Sequence, residues 1–505
     1  DLSVKEIMIP PIHPAERISH CVKKPEFLAE LRFFLPVDAI LFEPETLKPY
    51  ECDGLAAYQT LPWVVVLPET IEAIQRILRL CNDYGIPVVA RGAGTGLSGG
   101  ALPLDNGVLI SMVKFNKILA IDRDNLLAVV EPGVTNLAIS KKVATEGLYY
   151  APDPSSQIAC TIGGNVAENS GGVHCLKYGL TTHNILRLKI LTMAGELVVI
   201  GGHGFDSEGY DLLAILTGSE GMLGIIIEVS VKLLPLVPST LVMMAVFDCV
   251  ETAGKAVAGV IAAGLIPAGL EMMDNTAICA AEDFCHAGYP ITAQAILLCE
   301  IDGTAEQVTE QLEQVYPLLL SLGAQTVEIA HDKLEQHKMW AGRKAAFPAV
   351  GRISPDYYCM DGTIPRYQLG AVLRSIAELS ENYGLPVANV FHAGDGNLHP
   401  LILYDGNVPG DFEKAERLGG DILLLSIRVG GTITGEHGVG IEKINHMCVQ
   451  FLPETLNQFH AIKAAFDEKG LLNPGKGLPS LRRCAEFGAM HVHHGELSHQ
   501  DLERF

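Results

Sequence analysis

Two short segments carry the residue types that proton and metal chemistry needs. The first is FHAGDGNLHPLIL, residues 391–403, in which His392 and His399 flank a Gly-Asp-Gly turn. The second is GGTITGEHGVGIEK, residues 430–443, with Glu436 and His437 between glycines. A fold-back at the turn can aim both histidines inward, and two histidines with one carboxylate suit a metal ion with open coordination positions. Glu436 and His437 are adjacent, so their side chains point in different directions. One can hold a metal while the other faces a substrate. The residues alone leave a competing reading open, in which the histidines are satisfied structural groups. A third segment, MWAGRKAAFPAVGRISP at 339–355, places Arg343 on a helical stretch. A planar guanidinium takes a carboxylate through two parallel hydrogen bonds. A solvated surface arginine is the alternative, and Arg352 is the next candidate in the segment.

A different chemistry is written in RGAGTGLSGGA, residues 91–101, with glycines at 92, 94, 96, 99 and 100. Such a loop exposes backbone N–H groups and can wrap closely around a pyrophosphate. It contains a formal G-x-G-x-x-G from Gly94 through Gly96 to Gly99. A Rossmann-type fold would need a helix immediately afterwards. The chain continues instead as ALPLDNG, with Pro103 and an Asn106-Gly107 turn, and then the strand-like VLISM. The loop is therefore expected to cradle a cofactor in another fold. Two more glycine-bearing stretches follow, APDPSSQIACTIGGNVAENSGGVHCLKYGL at 151–180 and TGSEGMLGIIIEVSVKLLP at 217–235.

These segments need elements to position them. Residues 1–57 read as a helical lead-in. A strand in WVVVLP (63–68) precedes a helix in TIEAIQRILRLCNDYG, with Ile71, Ile74, Leu78 and Cys81 on one face and Gly85 as its stop. The strand IPVVA then delivers the glycine-rich loop. Mainly strands follow, in VLISM, ILAID and LAVVEPG, so this unit is expected to be α+β and to end near Pro235 and Pro238. From 239 onward VMMAVF, GLEMM, AILLCEI and PVANVF read as strands, and 251–263, 304–322 and 367–382 as helices. That alternation predicts a sheet covered by helices on one side, in a ferredoxin-like arrangement. The expected division is a lead-in at 1–57, a cofactor domain at 58–238, a substrate domain at 239–478 and a tail at 479–505.

Composition narrows the function classes. The formal charge of −23 argues against nucleic acid and against unaided binding to anionic lipid. The twelve cysteines contain no C-x-x-C pair. Iron–sulfur or zinc-ribbon spacing is thus absent, and reduced thiols in a cytoplasmic protein are expected. No secretory signal is read at the start, and the chain begins at Asp1 without a methionine. The longest charge-free apolar stretch, 256–270, is shorter than a bilayer span and is broken by Pro267 and glycines. It is expected to be a buried helix, a turn and a strand. In the tail, His491, His493 and His494 could bind metal, but a solvated tail or a subunit contact is the preferred reading.

In their order, the three glycine-bearing stretches resemble the FAD-binding domain of the vanillyl-alcohol oxidase and p-cresol methylhydroxylase superfamily. Within it, the resemblance to the flavin subunits of bacterial glycolate oxidases, relatives of D-lactate and D-2-hydroxyglutarate dehydrogenases, spans nearly the whole chain. The resemblance implies an FAD-binding domain followed by a ferredoxin-like substrate domain. It implies FAD contacts from Arg91, Gly92, Ala93, Gly94, Thr95, Gly96, Leu97, Ser98 and Gly100. Further contacts are implied from Pro152, Asp153 and Ser156, from Gly163, Gly164 and Asn169, and from Glu220, Gly221 and Ile226. Asn473 and Lys476 return toward the cofactor. The context of His174 is not that of a histidine-linked flavin, so non-covalent FAD is expected. By the same resemblance His392, His399 and Glu436 become ligands of a divalent metal (zinc, manganese or iron), His437 the catalytic base, Asn397 a substrate contact and Arg343 the carboxylate anchor. The 2-hydroxyglutarate enzymes carry a further lysine, and no cation stands at the corresponding Cys359-Met360, which favours a small monocarboxylate.

The expected activity is oxidation of glycolate and D-lactate to 2-oxo acids. The resemblance further implies a second flavin-domain subunit and an iron–sulfur subunit carrying electrons to quinone, and a cytoplasmic location held at the inner membrane through those partners. A self-sufficient D-lactate dehydrogenase and, more remotely, a metal-dependent hydrolase are the alternatives.

Overall fold

The computed structural model describes residues 24–204 and 209–480, so the expectations for the histidine-rich tail lie outside the described residues. The first sheet contains β1 (Ile40–Leu41), β2 (Val64–Val66), β3 (Val88–Arg91) and β4 (Val108–Ser111), in the order β1, β2, β4, β3. β4 runs parallel to β2 and β3, and β1 is antiparallel to β2. The parallel strands read VVV, VVAR and VLIS, the continuous apolar runs of a sheet buried on both faces. The helix Ile71–Tyr84 provides the crossover. Thr70 caps its start, Gly85 ends it in the left-handed conformation, and Ile74, Ile77, Leu78 and Cys81 are buried. Residues 24–57 pack with the first sheet. Ile40 and Leu41 pair with Val66 and Val65, and Phe27 and Leu31 enter the same core, because the exposed edge of β2 needs a partner.

The chain continues through β5 (Ile118–Asp122), β6 (Leu127–Val130), β7 (Leu148–Tyr149), β8 (Ile185–Leu191), β9 (Leu197–Gly201), β10 (Ile225–Lys232) and β11 (Leu234–Pro235). A five-stranded antiparallel sheet has the order β5, β6, β10, β8, β9, while β7 pairs with β11.

The second domain is built on β12 (Ser239–Phe247), β13 (Gly269–Asp274), β14 (Ala295–Gly303), β15 (Thr326–Ile329), β16 (Asp356–Cys359), β17 (Val387–Phe391) and β18 (Pro400–Tyr404). Its antiparallel sheet runs β15, β12, β14, β13, β17, β18, β16. Helices cover both faces, not one as the alternation suggested. Helices 250–262, 305–321, 369–383 and 411–428 bury one face, and helices 275–285 and 333–349 the other. β12 shows why: Met243, Ala245 and Phe247 enter the first core, and Met244 the second. Both faces of this strand are apolar, so both demand cover.

The chain then returns to the first domain. In the helix Pro453–Phe466, Leu456 joins the second-domain core while Ile462 and Phe466 pack on the five-stranded sheet. Leu472 bridges Val88 in parallel, and Leu471 and Leu472 enter the core of the first sheet. The last residues of the expected 239–478 span thus pack on the first domain.

Candidate active site

The glycine-rich loop leaves β3 at Arg91, which is buried and donates from Nη1 to Cys52 O at 2.6 Å. A Cβ on Gly94, whose φ is +70°, would overlap that guanidinium. Glycine is required there by both space and conformation. Gly54 N–H bonds Gly96 O at 2.8 Å, tying the loop to residues 53–54. From the far end of the chain, Asn473 Nδ2 donates to Gly100 O at 2.9 Å and to Glu220 O at 2.7 Å. One amide thus staples the first glycine loop to the third. Lys476 Nζ adds bonds to Gly100 O and Leu102 O.

These segments wall a groove. Arg91, Gly92, Ala93, Gly94, Thr95, Gly96, Leu97 and Gly100 line it, as do Ser156, Gly163, Gly164, Glu220, Gly221 and Ile226. Added Cβ atoms on Gly96, Gly164 and Gly221 would meet no protein atom closer than 3.4 Å. The space above these glycines is open to a close-lying ligand. The other expected contacts stand behind the wall. Ser98 O accepts from the N–H groups of Ile441 and Glu442. Pro152 O accepts from Asn136 Nδ2, and Asn169 Oδ1 accepts from Thr182 N–H. Asp153 holds His174, whose imidazole also lies 3.3 Å from Glu300 of the second domain. These residues position the groove from outside it.

The groove continues past the glycines to Phe347, His399, Glu436 and His437, which among the described residues are its lining from the second domain. His392 directly follows β17 and His399 directly precedes β18, so the Gly-Asp-Gly turn does fold both imidazoles together, with ring centroids 5.2 Å apart. His392 Nε2 and His399 Nε2 each lie 3.2 Å from Glu436 Oε1. His437 stacks on His399 at 4.9 Å with an interplanar angle of 3°. Neither ring nitrogen of His399, nor Nδ1 of His437, makes a hydrogen bond among the described residues.

Two carboxylates organise this cluster, and neither stood out in the sequence. Glu271, in the middle of β13, accepts from His392 Nδ1 at 2.7 Å and from Arg343 Nε at 2.8 Å. Arg343 is 3% exposed, so its fork has a partner inside the protein. Asp361, fully buried after β16, accepts the N–H groups of Gly435, Glu436 and His437 and the Thr434 hydroxyl. It also takes Asn397 Nδ2 at 2.8 Å and the buried Lys443 ammonium at 3.0 Å. The Gly-Glu-His-Gly loop is thereby clamped on one carboxylate. Arg352 is outside the site, paired with Asp283 at the surface.

Charge follows from this geometry. Burial opposes ionisation of Glu436, but His392 and His399 hold its carboxyl well below the usual range. Lys443 and the histidines do the same for Asp361 against its burial. The imidazoles of His392 and His399 are raised despite burial, His392 by Glu271 and Glu436 and His399 by Asp361 and Glu436. Burial pushes His437 the other way, to about 4, despite Asp361. A neutral, proton-accepting imidazole therefore stands beside two that attract protons. On the cofactor side, burial and then Glu220 raise the carboxyl of Glu168, which lines the groove with one oxygen unpartnered. Sequence reasoning missed Glu168, whose signal was an acid inside an otherwise small and apolar helix.

The comparisons with known proteins agree with this architecture. The family described as "FAD binding domain" matches residues 62–201, and "FAD linked oxidases, C-terminal domain" matches 237–477. The glycolate oxidase subunit GlcD of Escherichia coli (strain K12) is 61% identical, over 96% of this chain and 97% of that protein. The chain belongs to this family of FAD-linked oxidases. A D-lactate dehydrogenase of Anaerostipes hadrus is 31% identical, over 90% of this chain and 97% of its own. The solved structure of p-cresol methylhydroxylase with substrate bound superimposes with a TM-score of 0.78, at 18% identity, over 91% of this chain and 97% of that one. The fold is accordingly that of the vanillyl-alcohol oxidase and p-cresol methylhydroxylase type, and the cofactor of this FAD-linked oxidase is FAD. Among the described residues, no helix is long and apolar enough to cross a membrane.

Proposed function

We propose that the protein oxidises small 2-hydroxy acids, glycolate first and D-lactate second, to the 2-oxo acids. One observation carries the reading: a single groove is lined at one end by the glycine cradle and at the other by His399, Glu436 and His437. FAD, when bound, supplies the acceptor for the α-carbon hydride, and a divalent metal would supply Lewis acidity at the substrate's oxygens.

His392, His399 and Glu436 would hold that metal. Their ligand atoms lie within 4.8 Å of one another, and His399 has unpartnered nitrogens. Asp361, His399 and His437 form a second possible set, but the oxygens of Asp361 are already taken by the loop N–H groups and Lys443. The raised imidazoles support the first set, since protons there do what a cation would do, and metal binding would displace them. His437, whose imidazole lines the groove, takes the proton of the substrate hydroxyl. Asp361 fixes the backbone of His437, and Asn397 braces Asp361. Arg343 and Lys443 place positive charge behind the cluster, which favours an anionic substrate.

The word "subunit" in the name of the Escherichia coli relative supports a complex here too. We assign the onward electrons to a second flavin-domain subunit, an iron–sulfur subunit and finally quinone, with peripheral attachment to the inner membrane through those partners. Anaerobic mixing with glycolate, D-lactate, L-lactate and D-2-hydroxyglutarate tests the chemistry, with flavin bleaching expected for the first two. A chelator should abolish bleaching while leaving the flavin spectrum. A yellow protein that none of these acids bleaches would refute the reading.

A further inference from the structure

Of the four second-domain residues that line the groove, three are the polar His399, Glu436 and His437, and the fourth is Phe347. We infer that Phe347 sets the size limit for the substituent on the substrate's C2 carbon. The inference rests on the 2-hydroxy-acid reading of this site. A 2-hydroxy acid presents a carboxylate, a hydroxyl and a hydrogen at C2, and these have polar or redox partners. The remaining substituent needs an apolar wall, and Phe347 is the apolar side chain that the second domain offers.

The ring is held in place. It meets His399 edge-on at 6.4 Å and 69°, and Tyr357 edge-on at 6.0 Å and 80°. Edge-to-face pairs on both sides fix the orientation of an aromatic ring. Its helix, Lys333–Ala349, is capped at Asp332 and anchored by Trp340 Nε1 on Glu300 at 2.7 Å. Phe347 also lies one turn beyond Arg343, so the arginine that steadies His392 through Glu271 and the ring that walls the groove share one helix face. A wall so fixed admits a hydrogen or a methyl group and penalises longer chains.

Phe347→Ala opens this wall, and Phe347→Leu opens it partly with less risk to folding. Both are compared with the wild type as FAD-loaded full chains. The first measurement is anaerobic flavin reduction by glycolate, D-lactate and D-2-hydroxybutyrate. The ratio of kcat/KM for D-2-hydroxybutyrate over glycolate should rise at least about tenfold in Phe347→Ala, the scale of one extra methylene in an apolar pocket, and by less in Phe347→Leu. The second is binding of unreactive carboxylates, from acetate to pentanoate, read as perturbation of the flavin absorbance. The variants should gain the longer ones. A purely structural role would slow all substrates alike and leave both chain-length profiles unchanged, which would overturn the inference. If no 2-hydroxy acid reduces the wild-type flavin but the carboxylate profile still shifts, the substrate reading fails and the size limit stands.

Discussion

The two ends of the groove are built by opposite means. At the cradle the wall is largely glycine backbone, and side chains such as Asn473 and Lys476 hold it in shape. At the cluster the wall is side chains, and the backbone is what must be held, by Asp361. A cradle whose wall is mostly glycine backbone resists most substitutions outside its glycines. A cluster drawn from positions 271, 343, 361, 392, 399, 436, 437 and 443 is exposed to any change in how four strands, a helix and a loop meet. Damage to the cradle should therefore empty the flavin site and spare the cluster. Damage to the cluster should leave a yellow, inert protein.

The largest effect should come from His437→Ala, which tests the cluster side of this contrast directly. Flavin reduction should slow by about 10²–10⁴-fold with FAD retained, the range for loss of a general base. Stopped-flow absorbance measures it, and an unchanged rate would remove His437 from the chemistry. Next, Asp361→Ala removes the nearest carboxylate from the buried Lys443 ammonium and leaves it Gly438 O at 3.0 Å and Glu442 at 3.7 Å. Denaturant unfolding should show a loss of about 3–5 kcal/mol, as for a broken buried ion pair. A loss under about 1 kcal/mol would mean the loop is clamped by something else.

On the cradle side, Lys476→Met removes the amine, its pKa lowered by burial to about 7, that donates to Gly100 and Leu102. FAD should bind about 10-fold more weakly, matching the ~1–1.5 kcal/mol of an ordinary hydrogen bond. Metal content of the same preparation, by elemental analysis, should stay the same; a parallel loss of metal would merge the two ends into one cooperative unit. The smallest effect is expected for Thr161→Val. The Thr161 hydroxyl caps the helix that carries Gly163 and Gly164, with Gly164 N–H at 3.4 Å. About 1 kcal/mol of stability should go, measurable as a lowered Tm, with flavin reduction unchanged.

The same contrast explains what the sequence made legible. The cradle could be read because its requirement, freedom for the backbone, is met by five glycines within nine residues, at 92, 94, 96, 99 and 100. His392, His399, Glu436 and His437 could be read because glycines frame them in two short motifs. Glu271 and Asp361 could not, since each is one carboxylate among apolar neighbours, in GLEMMD and YYCMDG. Their signal was present in physical form: an acid in a strand buried on both faces must have a charged or hydrogen-bonded partner. Only the fold names those partners. Phe347, an apolar residue on a helical stretch, carries no signal of its own either. The second layer of helices is hidden because both faces of β12 are apolar, and only the packed sheet shows that each is covered. The pairing of Ile40 and Leu41 with β2 has no local signature at all.

The stitching of Leu472 to Val88 and of Asn473 to Gly100 bears on how the protein is made. Synthesis proceeds from the N-terminus, and domains generally fold as they emerge. Here the cofactor seat begins in the first fifth of the chain, while the residues that fasten it arrive after the whole second domain. A nascent chain can form the strands of the first sheet, but Leu471 and Leu472 are missing from its core and nothing joins the first and third glycine loops. The two loops can thus be fastened to each other by Asn473 only after the second domain has been made. The domain that leaves the ribosome first is the last to be closed.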